Sequence, residues 1–172
     1  MKVLALDIAT RCGIAIGTPG GEPRAWSEDI GKGLPEEQRF SRVLVLTHKL
    51  LAEHKPDMVA IEAAIGGPKA SSYLVGLVAC VRGVCANRQV ECKPYVLAAI
   101  RKHFLGKHYG VKDFPGLPHA KAKAAIKGKV LERCGLLGWS VPDHDAADAA
   151  ALLDYALSVN TNHQARVAGG LL

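Results

Sequence analysis

The first thirty residues alternate short apolar runs with turn signals and predict three antiparallel strands. Apolar runs over 2–9 and 12–17 flank a tight turn, as in a β-hairpin. A Pro- and Gly-rich segment, 18–23, separates this hairpin from a third strand near 24–30. One carboxylate, Asp7, interrupts the first run near its end. Because an unpaired carboxylate is costly to bury, its position predicts a cation beside it.

The same pattern predicts a helix and a fourth strand next. Apolar residues at intervals of three and four follow Pro35 and predict a helix that packs on the sheet through one face and ends before Lys55. The run 57–62 is then an apolar strand that finishes in a single carboxylate, Glu62. Two buried strands therefore end in acids.

The second half of the chain predicts mostly helices. A helix that is apolar on nearly every side predicts burial on more than one side, either as a core helix of a monomer or as a dimer interface. The predicted elements, in chain order, are this helix at 70–87, a strand at 89–93 closed by Pro94, a helix at 95–105, a surface loop at 106–118, a helix at 119–137 and a last helix from Asp143.

The order β-β-β-α-β-α-β-α-α predicts an α/β domain whose antiparallel first half is followed by crossover helices. We expect one domain at 1–160 and a flexible C-terminal tail at 161–172. The chain has no apolar run long enough for a membrane span, and its first residues lead directly into a strand, so we expect neither membrane association nor a secretory signal. Five cysteines without a CxxC pair favour a cytoplasmic setting over a disulfide or zinc framework.

The net charge of +6 is concentrated in one part of the chain. Residues 93–133 contain ten Lys or Arg against two acids, a net charge of +8, so the remainder carries −2. A basic half beside an acidic site is typical of a protein that binds a polyanion, although a solvated lysine-rich helix explains the charge equally well.

The strongest local signal in the second half is the pair Asp145 and Asp148. Residues at i and i+3 lie on one face of a helix, so the two carboxylates point the same way. Asp143 is better explained as the N-cap of this helix. Small residues surround the pair and leave room for another element to approach closely: Ala146, Ala147, Ala149 and Ala150.

Convergence of the four acids would require cations. Each like-charge pair at about 4 Å costs on the order of 4 kcal/mol at an effective dielectric constant of about 20. Carboxylates with retained waters suit Mg²⁺ or Mn²⁺, and two such ions can drive phosphodiester hydrolysis. The acids Asp7, Glu62, Asp145 and Asp148 thus predict a metal-dependent nuclease, with Lys and Arg of the basic half holding phosphates.

These motifs resemble those of the RuvC-type Holliday junction resolvases of the ribonuclease H-like superfamily. The matching stretches are Leu4-Ala-Leu-Asp7-Ile-Ala-Thr-Arg-Cys-Gly13, Val59-Ala-Ile-Glu62 and Asp145-Ala-Ala-Asp148-Ala, and the likeness covers 2–157. The resemblance implies a ribonuclease H-like mixed five-stranded sheet flanked by helices. It also implies a homodimeric, Mg²⁺-dependent endonuclease that nicks branched DNA symmetrically, with the four acids as metal ligands. From the residues themselves we expect the dimer to form through helix 70–87 and the site to hold two Mg²⁺ ions, for which Mn²⁺ would substitute.

The resemblance also assigns roles to basic residues. It places Arg101 and Lys123 near the scissile phosphate, and Lys121 is the alternative to Lys123 for the second of these positions. The DNA-binding set that we expect is Arg101, Lys102, Lys121, Lys123 and Lys127. His144 is a candidate assisting group, although an exposed histidine near a helix cap is the simpler interpretation.

Two departures from the family suggest a divergent, phage-type member. The loop after the acidic strand, 65–68, lacks the family's aromatic wedge, and Tyr73 lies further along the chain. The segment 106–118 is longer than the family pattern predicts. Junction selectivity and base preference are therefore open at this stage.

Two functions from other classes compete with the nuclease. A non-catalytic nucleic-acid-binding protein on the same fold would bind DNA in a salt-dependent manner without nicking it. An actin-like kinase or ATPase would explain the Asp-Ile-Ala-Thr stretch as a phosphate loop. That class needs two domains, and no second Gly-rich phosphate loop follows a later strand here.

Overall fold

The structure is a computed structural model that describes residues 1–64 and 71–169, with side chains described as far as 161. The expectations for the loop 65–68 and for a helix start at 70 lie outside the described residues. The strands are β1 Val3–Asp7, β2 Arg11–Gly17, β3 Arg24–Asp29, β4 Met58–Glu62 and β5 Glu91–Tyr95. The helices are α1 Glu36–His54, α2 Ser72–Asn87, α3 Leu97–Leu105, α4 His119–Leu136 and α5 His144–Gly169.

The five strands form one mixed sheet in the order β3-β2-β1-β4-β5. Strands β1, β2 and β3 are an antiparallel meander, while β4 pairs parallel to both β1 and β5. The helices between β4 and its parallel neighbours supply the crossover connections that such pairs require. The predicted α/β architecture is therefore confirmed.

The sheet is covered on both faces. On one face, α1 and α2 pack over the buried side chains of Leu4, Leu6 and Ile14. On the other face, α5 lies across β1 and β2, with α3 and α4 packed beside it. Side chains of a strand alternate between faces, so each β1 residue serves one of the two cores. Within the described residues no helix is long and apolar enough to cross a membrane.

Strand β5 differs from its prediction. It runs from Glu91 to Tyr95 and includes Pro94, which pairs in register with Ile61 instead of closing the strand. The strand lies at the edge of the sheet, where the missing N–H of a proline leaves no ladder partner unsatisfied. The helix that follows begins at Leu97, two residues later than the prediction at 95.

Two other segments contain more helix than the sequence predicts. Within the expected surface loop 106–118, a 3₁₀ turn covers Val111–Asp113. The backbone of α5 continues to Gly169, beyond the expected domain boundary at 160. The flexibility of the segment 161–172 stays a prediction.

Candidate active site

Asp7 and Glu62 stand at the same end of two neighbouring parallel strands. Strands β1 and β4 pair with Leu6 opposite Ile61, and each strand ends with its acid at the next position. The residues that precede the two acids, Leu6 and Ile61, are buried in the core, and this packing fixes the ends of both strands. The carboxyl ends of parallel strands meet at one edge of a sheet, so the two carboxylates share that edge.

A glycine brings Asp145 to the same edge. Gly13 lies directly opposite Asp7 in the β1–β2 pair. A Cβ atom built on Gly13 would lie 2.0 Å from the carbonyl oxygen of Asp145, so only glycine admits α5 this close. The alanines that flank Asp148 are fully buried against the sheet. The predicted close approach around the Asp145 and Asp148 pair is confirmed.

The first turn of α5 is fixed by a polar network. The backbone N–H of Ala146 donates to Asp143 Oδ1 at 2.9 Å, which confirms Asp143 as the N-cap. Asp143 also accepts hydrogen bonds from Ser27 Oγ and from Arg11 at 3.0 Å, and Arg11 Nε lies 3.7 Å from Asp145. Burial opposes ionisation of Asp143, but its hydrogen bonds outweigh burial and lower its pKa. Strands β2 and β3 thus hold the helix start over the acids.

One lysine contacts the acidic pair directly. Lys127 Nζ on α4 donates to Asp145 Oδ1 at 2.9 Å and lies 3.4 Å from Asp148 Oδ2. Burial disfavours the charged form of Lys127 and by itself would lower its pKa. The hydrogen bond to Asp145 and the charges of Asp148 and Asp7 outweigh burial, so the pKa of Lys127 is raised. Lys127 thus pairs with Asp145 and Asp148, while the cation expected beside Asp7 itself stays a prediction.

The acids strongly perturb one another. Burial, together with the charges of Asp148 and Glu62, raises the pKa of Asp7 to about 8. Burial and Asp148 likewise raise the pKa of Glu62, and burial raises that of Asp148. Buried carboxylates with raised pKa values are typical of functional sites. That all four acids converge on shared metal ions stays a prediction.

The other predicted basic residues are placed differently. Arg101 on α3 is partly buried, and its charge opposes the upward pKa shifts of Glu62 and Asp148, so it faces the acids. Its Nε is buried and forms no hydrogen bond within the described part of the chain. The remaining predicted residues are all exposed: Lys102, Lys121, Lys123 and His144. Of the lysines on α4 considered for the site, Lys127 is the one that contacts the acids.

Two residues of the site carry roles that the sequence analysis did not assign. Arg11 and Gly13 were included in the first motif only as part of its pattern. Arg11 ties α5 to β2 through Asp143, and Gly13 sets the distance between the helix and the strand. The sequence signal for Gly13 was its position inside an otherwise regular strand, which often marks a close backbone approach.

The acids do not form a ready metal cage. Within the described residues, no three His, Cys, Asp or Glu side chains are grouped so that they could hold a metal ion without rearrangement. The Lys127 ammonium lies between the oxygens of Asp145 and Asp148. A cavity of about 580 Å³ is lined by the 18–23 turn and Trp139 and contains none of the four acids.

Comparison with solved structures identifies the fold. RuvC of Thermus thermophilus superposes with a TM-score of 0.65 at 18% identity, over 94% of this chain and 97% of that one. The same protein in complex with a Holliday junction substrate gives 0.67 at 17% identity, over 94% and 96%. The chain has the ribonuclease H-like fold of the RuvC-type resolvases. This confirms, at the level of fold, the resemblance found in the sequence.

A eukaryotic structure supports the same assignment. The yeast mitochondrial Holliday junction resolvase Ydc2 superposes with a TM-score of 0.56 at 11% identity, over 99% of this chain and 84% of that one. No protein-family model matches the sequence, and no curated protein matches it either.

Proposed function

We propose that the protein is a metal-dependent endonuclease that nicks branched DNA such as four-way junctions. The observation that carries the proposal is the arrangement of the acids: Asp7 and Glu62 end neighbouring parallel strands, and Asp145 is brought against Gly13, which lies opposite Asp7. A purely structural site would not be expected to gather acids of which two, Asp7 and Glu62, have no ion pair within the described residues. The likeness to junction resolvases supports the choice of substrate.

The residues fit divalent metal ions. Hard oxygen donors from Asp7, Glu62, Asp145 and Asp148 suit Mg²⁺ or Mn²⁺, and we infer two ions per site. When bound, the ions would supply an activated water and stabilise the leaving oxygen of a phosphodiester. A cation would offset both the cost of burying the Asp7 carboxylate and its repulsion by Asp148 and Glu62, the causes of its raised pKa. Binding would require the ammonium of Lys127 to leave its place between Asp145 and Asp148.

The basic side chains at the site have separate tasks. Lys127, released from the acids, remains on the same edge and can bind a phosphate oxygen next to the cleaved bond. Arg101 lies near the acids, its Nε has no hydrogen-bond partner among the described residues, and it can donate to a phosphate in the same region. The exposed Lys102, Lys121 and Lys123 are placed to bind backbone phosphates at a greater distance.

We further infer that two chains associate through α2. Leu77, Val81, Val84 and Cys85 of this helix are buried within the chain, whereas Leu74 and Val75 are exposed, Val75 by 44%. The helix thus has a second apolar surface beyond the one used by the core. A dimer through this surface would carry two acidic sites, as symmetric nicking of a junction requires.

Replacement of Val75 by aspartate tests the dimer. We expect wild-type protein to be dimeric by light scattering at about 50 μM, a concentration at which a stable interface is occupied. Val75→Asp should be monomeric there, because a charge in an apolar interface is costly to desolvate. The matched control is Leu136→Asp on α4, a site 73% exposed on the opposite face of the sheet. A monomeric wild-type protein would refute the interface.

A panel of DNA substrates tests the proposed function. With Mg²⁺, we expect nicking of a four-way junction at least about tenfold faster than nicking of a linear duplex of the same sequence, an energy difference of about 1.4 kcal/mol. A replication fork and a flap in the same panel show which branch is preferred. Binding to all four without nicking would instead favour the non-catalytic alternative.

A further inference from the structure

The segment between α3 and α4 contains an aromatic ring held between two lysines. Lys107 Nζ lies 4.4 Å from the centre of the Tyr109 ring, and Lys129 Nζ of α4 lies 5.3 Å from the same centre. We call these three residues the Tyr109 cage. Cation–π contacts of this kind are attractive and orient the ammonium groups. The ring of Phe114 lies 6.1 Å from that of Tyr109 and supports it.

A single acid fixes the loop in this arrangement. Asp113 accepts the backbone N–H of Gly110 at 2.7 Å and the ammonium of Lys107 at 3.2 Å. The hydrogen bonds from Gly110 and Lys107 lower the pKa of Asp113, so it stays ionised at neutral pH. Asp113 thus connects Lys107 and Gly110 across this surface loop.

The charge of the cage is not balanced. Asp113 neutralises Lys107, whereas Lys129 forms no ion pair within the described part of the chain. The two ammonium groups share one ring and so lie within about 10 Å of each other, roughly one Debye length at 0.1 M salt. Residues 101–129 contain eight Lys or Arg against one acid. A bound anion would relieve this repulsion.

The position of the cage relates it to the acidic site. Lys127, which contacts Asp145 and Asp148, and Lys129 of the cage are two residues apart on α4. This separation is about 3 Å along the helix axis and about 200° around it, so the two lysines point in different directions. One helix thus presents a cation to the acids and another to the neighbouring surface.

We propose that the Tyr109 cage is a docking site for the phosphate backbone of a duplex DNA arm outside the acidic site. The proposal rests on the proposed function for the identity of the polyanion. Each strand of duplex DNA carries one phosphate per about 3.4 Å of axis, so two ammonium groups up to about 10 Å apart match phosphates of nearby nucleotides. Ammonium groups act as point charges toward phosphates, so we expect the cage to contact the backbone and not the bases.

Salt-dependent binding without divalent metal tests the cage separately from cleavage. Fluorescence anisotropy would measure the affinity for a labelled four-way junction and a linear duplex in EDTA. In Lys107→Ala/Lys129→Ala, we expect the slope of log K against log salt to be shallower by about 1.8, or about 0.9 for each lost contact. Affinity at 0.1 M salt should fall at least about tenfold on both DNAs, since backbone contacts carry no structural preference.

Further variants distinguish the cage from charge loss and from misfolding. Lys129→Ala alone leaves the Asp113 contacts intact and should make the slope of log K against log salt shallower by about 0.9. Tyr109→Phe keeps the ring and should bind as wild type does, whereas Tyr109→Ala should bind more weakly although no charge is removed. The control, Lys32→Ala/Lys49→Ala, removes two exposed lysines outside the basic segment.

The outcomes separate the inference from the proposed function. A wild-type slope in the double variant and in Lys129→Ala would overturn the cage, as would an affinity loss confined to the junction. Wild-type protein that shows the expected salt dependence but never nicks DNA would refute the proposed function and leave the cage as a DNA-binding site.

Discussion

Asp7→Asn is expected to make the metal-free protein more stable at pH 8 while it removes DNA cleavage. Burial and the charges of Asp148 and Glu62 raise the pKa of Asp7 from 3.8 to about 8. Even half of that pKa difference corresponds to about 3 kcal/mol of folding free energy. In a chain of this size, 3 kcal/mol is worth roughly 6–12 °C in Tm. An asparagine has no charge to bury, so the variant avoids this cost.

The sign of the pH dependence follows from the raised pKa. Between about pH 4 and pH 8 the folded protein keeps a proton on Asp7 that the unfolded chain releases, so the stability of the wild-type protein falls as pH rises through this window. In Asp7→Asn the contribution of this group is absent and the profile should be flatter. Thermal melts in EDTA at pH 5, 6.5 and 8 would show the difference. A variant less stable than wild type at pH 8 would mean that the carboxylate is well paired.

Gly13→Ala is expected to destabilise the fold and displace the acidic pair. The new Cβ would lie 2.0 Å from the carbonyl oxygen of Asp145 and 2.6 Å from its carbon, and both are backbone atoms that no side-chain rotation can move. We expect a loss of about 3 kcal/mol, at the upper end of the usual cost of overpacking. Chemical denaturation monitored by circular dichroism measures this loss.

A second glycine provides the matched control for Gly13→Ala. Gly128 lies within α4 with nothing within 4 Å of the position that a Cβ would take. Gly128→Ala should therefore stabilise the protein by about 0.5–1 kcal/mol, the usual gain in a helix interior. If Gly13→Ala were equally harmless, the close approach of α5 to β2 would not be what sets the position of Asp145.

Much of the fold and the acidic set could be predicted because the relevant signals are local. An apolar run that ends in one carboxylate identifies both the strand and its functional end, as at Asp7 and Glu62. The spacing of Asp145 and Asp148 fixes their common face in the same way. The placement of Pro94 was wrong because edge position depends on strand order, which the local sequence does not contain.

The identity of the lysine at the site could not be predicted for a related reason. Lys123 and Lys127 are four residues apart and lie on the same face of α4. They differ by about 6 Å along the axis, and only the docking of α4 on α5 determines which one reaches the acids. The contacts of Lys127 with Asp145 and Asp148 settle that geometry. Its role near a phosphate stays a prediction.

The most direct test of the metal-dependent nuclease is the rate of four-way junction nicking as Mg²⁺ is titrated, compared between wild type and Asp7→Asn. We expect wild-type nicking to depend on Mg²⁺ and the variant to lose more than the roughly 10–100-fold that loss of an outer-shell partner of a metal ligand costs. Glu132→Gln, a change at an exposed acid of α4, should nick as wild type does. Nicking by Asp7→Asn at the wild-type rate, or by wild type in EDTA, would contradict the account.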